Sequence, residues 1–222
     1  MSEEVLEREY YPVREAARLL RVPESTLRWW LEGRHQYLPV LRESATGSAL
    51  LTWGEFVEAG YLRAYRKKDV PLRELRSFID MLRQHLGIRY PLAHSQPFVS
   101  SSRKLVIRLQ EEAGVPPEFA VALEVTSGQL LLSSAAESFL DQVEFSLEGN
   151  GPALRFRPAG KGSEVVIDPR LSFGAPSVRG IRTEAIAELV EAGEPPEDVA
   201  RDFNIPVKLV KAATAFEWDL AA

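Results

Sequence analysis

The stretch YPVREAARLLRVPESTLRWWLEG, residues 11–33, decides how the first half of the chain folds. Val13, Ala16, Ala17 and Leu20 recur at i, i+3, i+4 and i+7, the spacing of one apolar helical stripe. Pro12 stands where a helix tolerates proline, at its start. Pro23 disfavours helical geometry at Val22 and so ends that first segment. A second helix is predicted from about Glu24 to Glu32. Leu27, Trp30 and Leu31 face inward there, and Ser25, Arg28, Trp29 and Glu32 face outward. Gly33 supplies the stop. Two short helices joined so tightly, with an arginine and an aromatic exposed on the second, have the pattern of a helix–turn–helix.

The flanks extend this pattern. Residues 1–10 carry five charges and read as a helical or frayed lead-in. Tyr37 to Arg42 reads as extended, ESATGS at 43–48 as a turn with Gly47 at its tip, and Ala49 to Leu51 as a returning strand. Such a hairpin after a helix–turn–helix has the place of a wing. Thr52 and Glu55 follow the capping-box spacing, so a helix is predicted from Trp53 to about Lys68. Its last turn gathers Arg63, Arg66, Lys67 and Lys68, a charge that suits a helix C-terminus. Asp69-Val70-Pro71 breaks the chain, and a further helix is predicted over Leu72–Leu86, stopped by Gly87.

Composition bounds what the chain can be. Its 222 residues include no cysteine, which excludes disulfides and thiolate metal sites. No apolar run reaches the ~18 residues of a membrane span. The acidic N-terminus lacks the basic-then-apolar pattern of a secretory signal, so a cytoplasmic location is expected. Net charge is −5, yet it is unevenly spread. Residues 1–108 hold 18 Lys+Arg against 13 Asp+Glu, a net of +5, and residues 109–222 hold 9 against 19, a net of −10. Phosphate contact depends on a local basic face, so the first half suits DNA and the second does not.

Residues 88–103 contain Pro and Ser without periodicity and are predicted to be a linker. Beyond them, strands are predicted at Lys104–Leu109, Gln129–Leu132, Val143–Leu147, Leu154–Arg157 and Glu164–Ile167, with a helix from Ser133 or Ser134 to Asp141. A small mixed sheet over 104–167 follows. The tail, 168–222, is rich in turn residues up to Thr183, which is placed to cap a helix. Three helices are then predicted, Thr183–Ala192, Pro196–Phe203 and Pro206–Trp218, with breaks at Gly193 and Asn204. The fold class expected is mainly α with small β-sheets (α+β). The domains expected are 1–87, 88–103 as linker, and 104–222. No G-x-G-x-x-G leads a strand into a helix, and His35, His85 and His94 are isolated. Neither a catalytic site nor a metal or cofactor site is predicted, so no enzyme activity is expected.

Two resemblances sharpen this. Thr26-Leu27-Arg28-Trp29-Trp30, the hairpin after it and the Val70-Pro71-Leu72 restart resemble the winged-helix domain of MerR-like regulators over residues 10–87. Pro23 stands where that family usually has a Ser cap, and Leu72–Leu86 is shorter than the coiled coil its classic members use to dimerise. The tail resembles, over 165–217, a small family of domains of unknown function that includes VapB-type antitoxins. Asp168-Pro169, Gly174-Ala175-Pro176, Arg179-Gly180-Ile181-Arg182 and the Gly193–Val199 stretch carry it, with Ile181 where the family more often has Thr.

Together the resemblances imply a homodimeric antitoxin of a toxin–antitoxin pair that binds its own operator, represses its operon and neutralises a PIN-like ribonuclease toxin. DNA contacts would come from Ser25, Arg28 and Trp29 on the second helix, Arg34 and Arg42 at the wing, and Arg21, Arg66 and Lys67 as further phosphate contacts. The partner surface would include Arg179, Arg182, Glu188, Glu191, Asp198 and Asp202. Acid on the tail suits a basic partner and opposes DNA. The alternative is a stand-alone MerR-like transcription regulator whose C-terminal half senses a small ligand, which would need an apolar pocket in the 104–167 region.

Overall fold

The computed structural model describes residues 2–34, 36–67, 70–94, 109–115, 122–124, 130–132, 139–147 and 151–221. The chain divides into two compact units, Met1–Ala153 and Leu154–Ala222. Both are built of helices with two-stranded antiparallel ribbons, in keeping with the α+β expectation.

Unit 1 begins with α1 (Ser2–Glu7) and β1 (Glu9–Pro12), followed by α2 (Val13–Leu19) and α3 (Glu24–Glu32). β2 (Leu50–Thr52) leads into α4 (Trp53–Arg66), and α5 (Leu72–Leu86) follows. The helix pair has the expected bounds, with Pro23 at the N-cap of α3 and Gly33 at its C-cap. Leu27, Trp30 and Leu31 are buried as their spacing requires. The capping box is present too: Thr52 Oγ1 accepts from Glu55 N at 3.2 Å, and Glu55 Oε2 accepts from Thr52 N at 3.0 Å.

The ribbon differs from the predicted hairpin. β2 pairs with β1, not with residues 37–42, in the register Glu9↔Thr52, Tyr11↔Leu51 and Pro12↔Leu50. The lead-in therefore holds a strand at its end. The reason 37–42 forms no such strand lies in where its backbone bonds go. Val40 N and Leu41 N both donate to Trp30 O, at 2.8 and 3.0 Å, satisfying a carbonyl near the end of α3. Val40 O and Leu41 O accept from the Arg83 guanidinium, at 3.4 and 2.9 Å. An aromatic stack then fixes the ribbon to α4: Tyr11 lies 4.7 Å from Phe56 and Phe56 lies 5.4 Å from Trp53, centroid to centroid. All three rings are buried.

Residues 88–94 of the predicted linker are packed rather than loose. Tyr90, Leu92, Ala93 and His94 are buried. Leu92 N donates to the buried Glu58 carboxylate at 3.1 Å. The 95–103 part of that linker, the predicted strand at 104–108 and most of the predicted 133–141 helix lie outside the described residues, as do His35 and Lys68. Short strands β3 (Ala122–Glu124), β4 (Leu130–Leu132) and β5 (Val143–Phe145) are described, β3 pairing with β4. Phe139 belongs firmly to unit 1. Its ring meets Tyr61 edge-on at 4.6 Å and lies over Gly60, where a β-carbon would come within 2.1 Å of it.

The chain passes into unit 2 within β6 (Ala153–Phe156). There Phe156 bridges Ile167, and Val166 bridges Ser177. β7 (Ser177–Val178) and β8 (Ile181–Arg182) form a hairpin closed by Arg179 at φ 50° and Gly180 at φ 79°. Two positive φ values in a two-residue loop match the twist of the strands. Three helices complete the unit: α6 (Thr183–Glu191), α7 (Pro196–Asp202) and α8 (Val207–Ala221). Val165, Ile167, Val178, Ile186, Val199, Val210 and Ala213 form its core. Thr183 does not cap α6. It is the first helical residue, fully buried, and its Oγ1 bonds Pro176 O at 3.2 Å and the Glu217 carboxylate. Among the described residues no helix is long and apolar enough to cross a membrane.

Candidate nucleic-acid interface

The outer face of α3 presents Ser25 and Arg28 exposed, with Trp29 half-buried between them and the core. Arg28 Nη2 lies 2.8 Å from Glu24 Oε1, an i,i+4 pair with both side chains about half in solvent. Exposed pairs of this kind hold at most ~1 kcal/mol, so the guanidinium is readily redirected. The α3 end is shaped by Gly33 at φ 74°, where a β-carbon would stand 2.4 Å from Tyr37 O. Arg34 and Tyr37 exchange two backbone bonds of 3.0 Å, which sets exposed Arg34, Tyr37 and Leu38 on a tight turn after the helix.

A cationic group stands at the α2–α3 turn. Arg21 holds φ 50° there and is exposed. Arg63 and Lys67, one helical turn apart at the end of α4, lie close enough to feel it. Burial and then Arg21 hold the Arg63 pKa below its usual value. Lys67 is lowered chiefly by Arg63, with burial and Arg21 adding to it. Like charges held together in one place are a setting that an anion relieves. Arg63 was not among the predicted contacts. Its signal was its i,i+4 spacing to Lys67, but the approach of Arg21 is a tertiary fact. Arg66 is turned elsewhere, its Nη1 donating to Val70 O at 2.6 Å.

Arg42 corrects the predicted wing. It is only 6% exposed and its guanidinium is occupied on every side. Nε and Nη2 donate to Glu55 at 2.8 and 3.2 Å, Nη1 to Glu32 and to Thr46 Oγ1 at 2.7 Å, and Nη2 to Leu50 O at 2.8 Å. Burial pushes its pKa down, but the two carboxylates outweigh this and hold it above the usual value. A cation so enclosed is a structural clamp and cannot also reach a phosphate. Glu32 completes the clamp by accepting from Gly47 N at 2.9 Å. The 43–49 loop is thus tied to the end of α3, with Glu43 as its one charged side chain.

A second buried cation sits behind it. Arg83 donates to Glu58 at 3.2 Å and to the carbonyls of Val40, Leu41 and Arg89. Glu58 is fully buried, and burial pushes its carboxyl up to about 7 in spite of Arg83 and the Leu92 N–H.

In unit 2 the expected partner residues are at the surface. Arg179, Arg182, Glu188, Glu191 and Asp202 are exposed, and half-exposed Asp198 pairs with Arg201 at 2.8 Å. Asp168 is the unit's buried charge, 1% exposed. Arg170 grips it through Nε and Nη2 at 2.9 and 2.7 Å and through its own backbone N–H at 2.9 Å, with Arg155 at 3.5 Å. Burial pushes its pKa up, but this gripping prevails and keeps the carboxyl below its ordinary value. The Asp-Pro-Arg motif is therefore a self-closing turn, which Leu171 N completes by donating to Asp168 O at 2.9 Å. Among the described residues no group of three or more His, Asp or Glu is placed to hold a metal ion.

Residues 165–216 match a family described as "Protein of unknown function (DUF433)". A protein named "Putative antitoxin VapB45", from Mycobacterium tuberculosis, is 29% identical, with 88% of each chain covered. The X-ray crystal structure of Rv2018 from the same organism superposes with a TM-score of 0.70 at 26% identity, covering 93% of this chain and 97% of that one. The uncharacterized protein Rv2308 of M. tuberculosis is 32% identical over 94% of this chain and 90% of its own length. An identity sustained along both units extends the relationship well beyond the DUF433 segment, and the chain belongs to the same family as Rv2308.

Proposed function

We propose that the chain is a DNA-binding antitoxin. In this reading unit 1 is a MerR-like reader of an operator, and unit 2 holds a PIN-like ribonuclease toxin. One observation supports the DNA half above others: exposed Ser25 and Arg28 on α3 stand in the same unit as a cationic group in which burial and Arg21 lower the Arg63 pKa and Arg63 chiefly lowers that of Lys67. Helix side chains specify bases in a major groove, and cations beside them position the protein on phosphates. The toxin half is supported by the likeness to a protein named an antitoxin, which runs along 88% of both chains. Arg42 drops out of the phosphate-contacting set, and Arg63 enters it.

Mobility shift of the chain's own promoter DNA, with and without the product of the adjacent gene, tests both halves. Sequence-specific retardation, supershifted by that product, is the expected result. A chain that retards promoter and random DNA alike, and neither binds the neighbouring product nor relieves its toxicity, sinks the proposal.

A further inference from the structure

Unit 2 exposes two aromatic side chains in opposite charge. Phe173 is 82% exposed and sits in left-handed backbone, φ 56° and ψ 32°, between Ser172 at φ 50° and Gly174 at φ 79°. A non-glycine residue pays on the order of 1 kcal/mol to stand there. A glycine would adopt this turn without strain, and a phenyl ring in water gives the fold nothing in return. The fold itself therefore supplies no reason for phenylalanine at 173. Ser172 Oγ donates to Gly180 O at 2.6 Å, which fastens this turn beside the hairpin tip and its exposed Arg179. The surrounding segment is basic: residues 154–182 hold six Lys+Arg and two Asp+Glu, a net of +4.

The helical segment is the reverse. Residues 183–221 hold three Lys+Arg and nine Asp+Glu, a net of −6. Trp218 on α8 is 55% exposed there, and its Nε1 donates to Glu191 Oε1 at 2.9 Å. The bond places the indole edge beside a carboxylate of this acidic segment.

We propose that these two patches are the halves of one self-association contact. The Phe173 turn and Arg179 of one copy seat on the Trp218–Glu191 surface of a second copy, and a two-fold axis repeats the contact. A basic aromatic knob and an acidic aromatic platform in one unit complement each other. Arginine stacks on indole and pairs with the adjoining carboxylate. Aromatic and arginine side chains are the types that dominate interface energies. The two-fold arrangement covers all four patches, whereas a head-to-tail arrangement leaves one knob and one platform open at its ends. This assignment stands apart from the DNA reading, and it gives Arg179 and Glu191 to a second copy and not to a toxin.

Phe173→Gly in the full chain tests it, because glycine suits the observed φ and keeps the turn. Sedimentation equilibrium is expected to show a wild-type dimer weakened by salt. Phe173→Gly is expected to dissociate at least tenfold more readily, about 1.4 kcal/mol, with a denaturation midpoint no lower than wild type at protein concentrations where both chains are monomeric. Trp218→Ala should weaken the dimer likewise. Arg179→Glu should break it, and Glu191→Arg added to Arg179→Glu should restore part of it. A wild-type chain that stays monomeric, or a Phe173→Gly dimer as tight as wild type, overturns the proposal. So does a Phe173→Gly chain that keeps its dimer but loses the adjacent gene product or DNA, since the ring then belongs to that partner.

Discussion

Arg42 Nε donates to Glu55 Oε1 at 2.8 Å, and the same carboxylate closes the capping box of α4 through Thr52 N. One buried acid therefore does two things: it ends the ribbon in a helix cap and neutralises the arginine that clamps the 43–49 loop. The pair joins the two segments that flank the predicted wing, so the loop's position is set from the core outward.

Arg42→Ala is accordingly expected to destabilise unit 1 by ~3–5 kcal/mol, the range for removing one partner of a buried ion pair. Glu32 and Glu55 would be left facing each other across the vacated space. Urea unfolding followed by tryptophan fluorescence checks this. A variant with unchanged midpoint but weakened DNA binding would return Arg42 to the phosphate-contacting set. Arg42→Lys should recover only part of the loss, since an ammonium cannot donate in the fork geometry that Glu55 and Leu50 O require.

Arg42 is visible in the sequence, but the carboxylates that enclose it are not. Helices α2 and α3 were legible because apolar period, Pro23 and Gly33 all act within a few residues. The capping box was legible for the same reason. β1 was not, because Glu9–Pro12 is acidic and aromatic without alternation and pairs with Leu50–Thr52, some forty residues on. Residues 37–42 looked extended, and their partners are Trp30 O and the Arg83 side chain, neither of which periodicity reveals. An arginine next to a loop reads as a surface charge unless the carboxylates around it are known. For the same reason Arg63 reads in the sequence as a helix-end cation, since the approach of Arg21 is set by the tertiary fold.

The buried Glu58 makes unit 1 sensitive to pH. Its carboxyl lies near 4.5 when free and is pushed up to about 7 in the fold, chiefly by burial and against the pull of Arg83. The folded state therefore holds a proton that the unfolded chain releases above pH 4.5. This contribution is fully present below 4.5 and is lost as pH rises through 7. Asp80, also raised by burial, acts in the same direction. Chemical denaturation between pH 5 and 8 is expected to show stability falling, and Glu58→Gln should flatten that slope. An equal slope in the variant would place the titration elsewhere.

Asp168 predicts the opposite sign in unit 2. Its folded pKa lies below the ordinary 3.8 because the grip of Arg170 and Arg155 prevails over burial. Its contribution is present above 3.8 and is lost as pH falls through the folded value. Asp168→Asn should remove that acid sensitivity. It should also cost on the order of 1–3 kcal/mol at neutral pH, because Arg170 and its N–H lose a charged acceptor. Hydrogen exchange at Leu171 N, which closes the same turn, is the local readout. Protection unchanged from wild type would mean that the Asp-Pro turn holds without its carboxylate.

The proposed DNA contact by α3 and by the Arg21–Arg63–Lys67 group makes separable predictions. Arg28→Ala should weaken operator binding and, if Arg28 contacts phosphate, lower the slope of log affinity against log salt by about one. Arg63→Ala should lower that slope by a similar amount and weaken operator and random DNA alike, as a phosphate contact does. It should also raise the Lys67 pKa, since Arg63 is the chief cause of its depression. Ser25→Ala should leave the salt slope alone and act only on the preference for operator over random DNA, as a base contact does. Fluorescence anisotropy with both DNAs over a salt titration distinguishes these outcomes. Arg63→Ala with an unchanged slope would mean that the three cations repel one another for a reason other than phosphate, and the reading face would then shrink to α3 and the Arg34 turn.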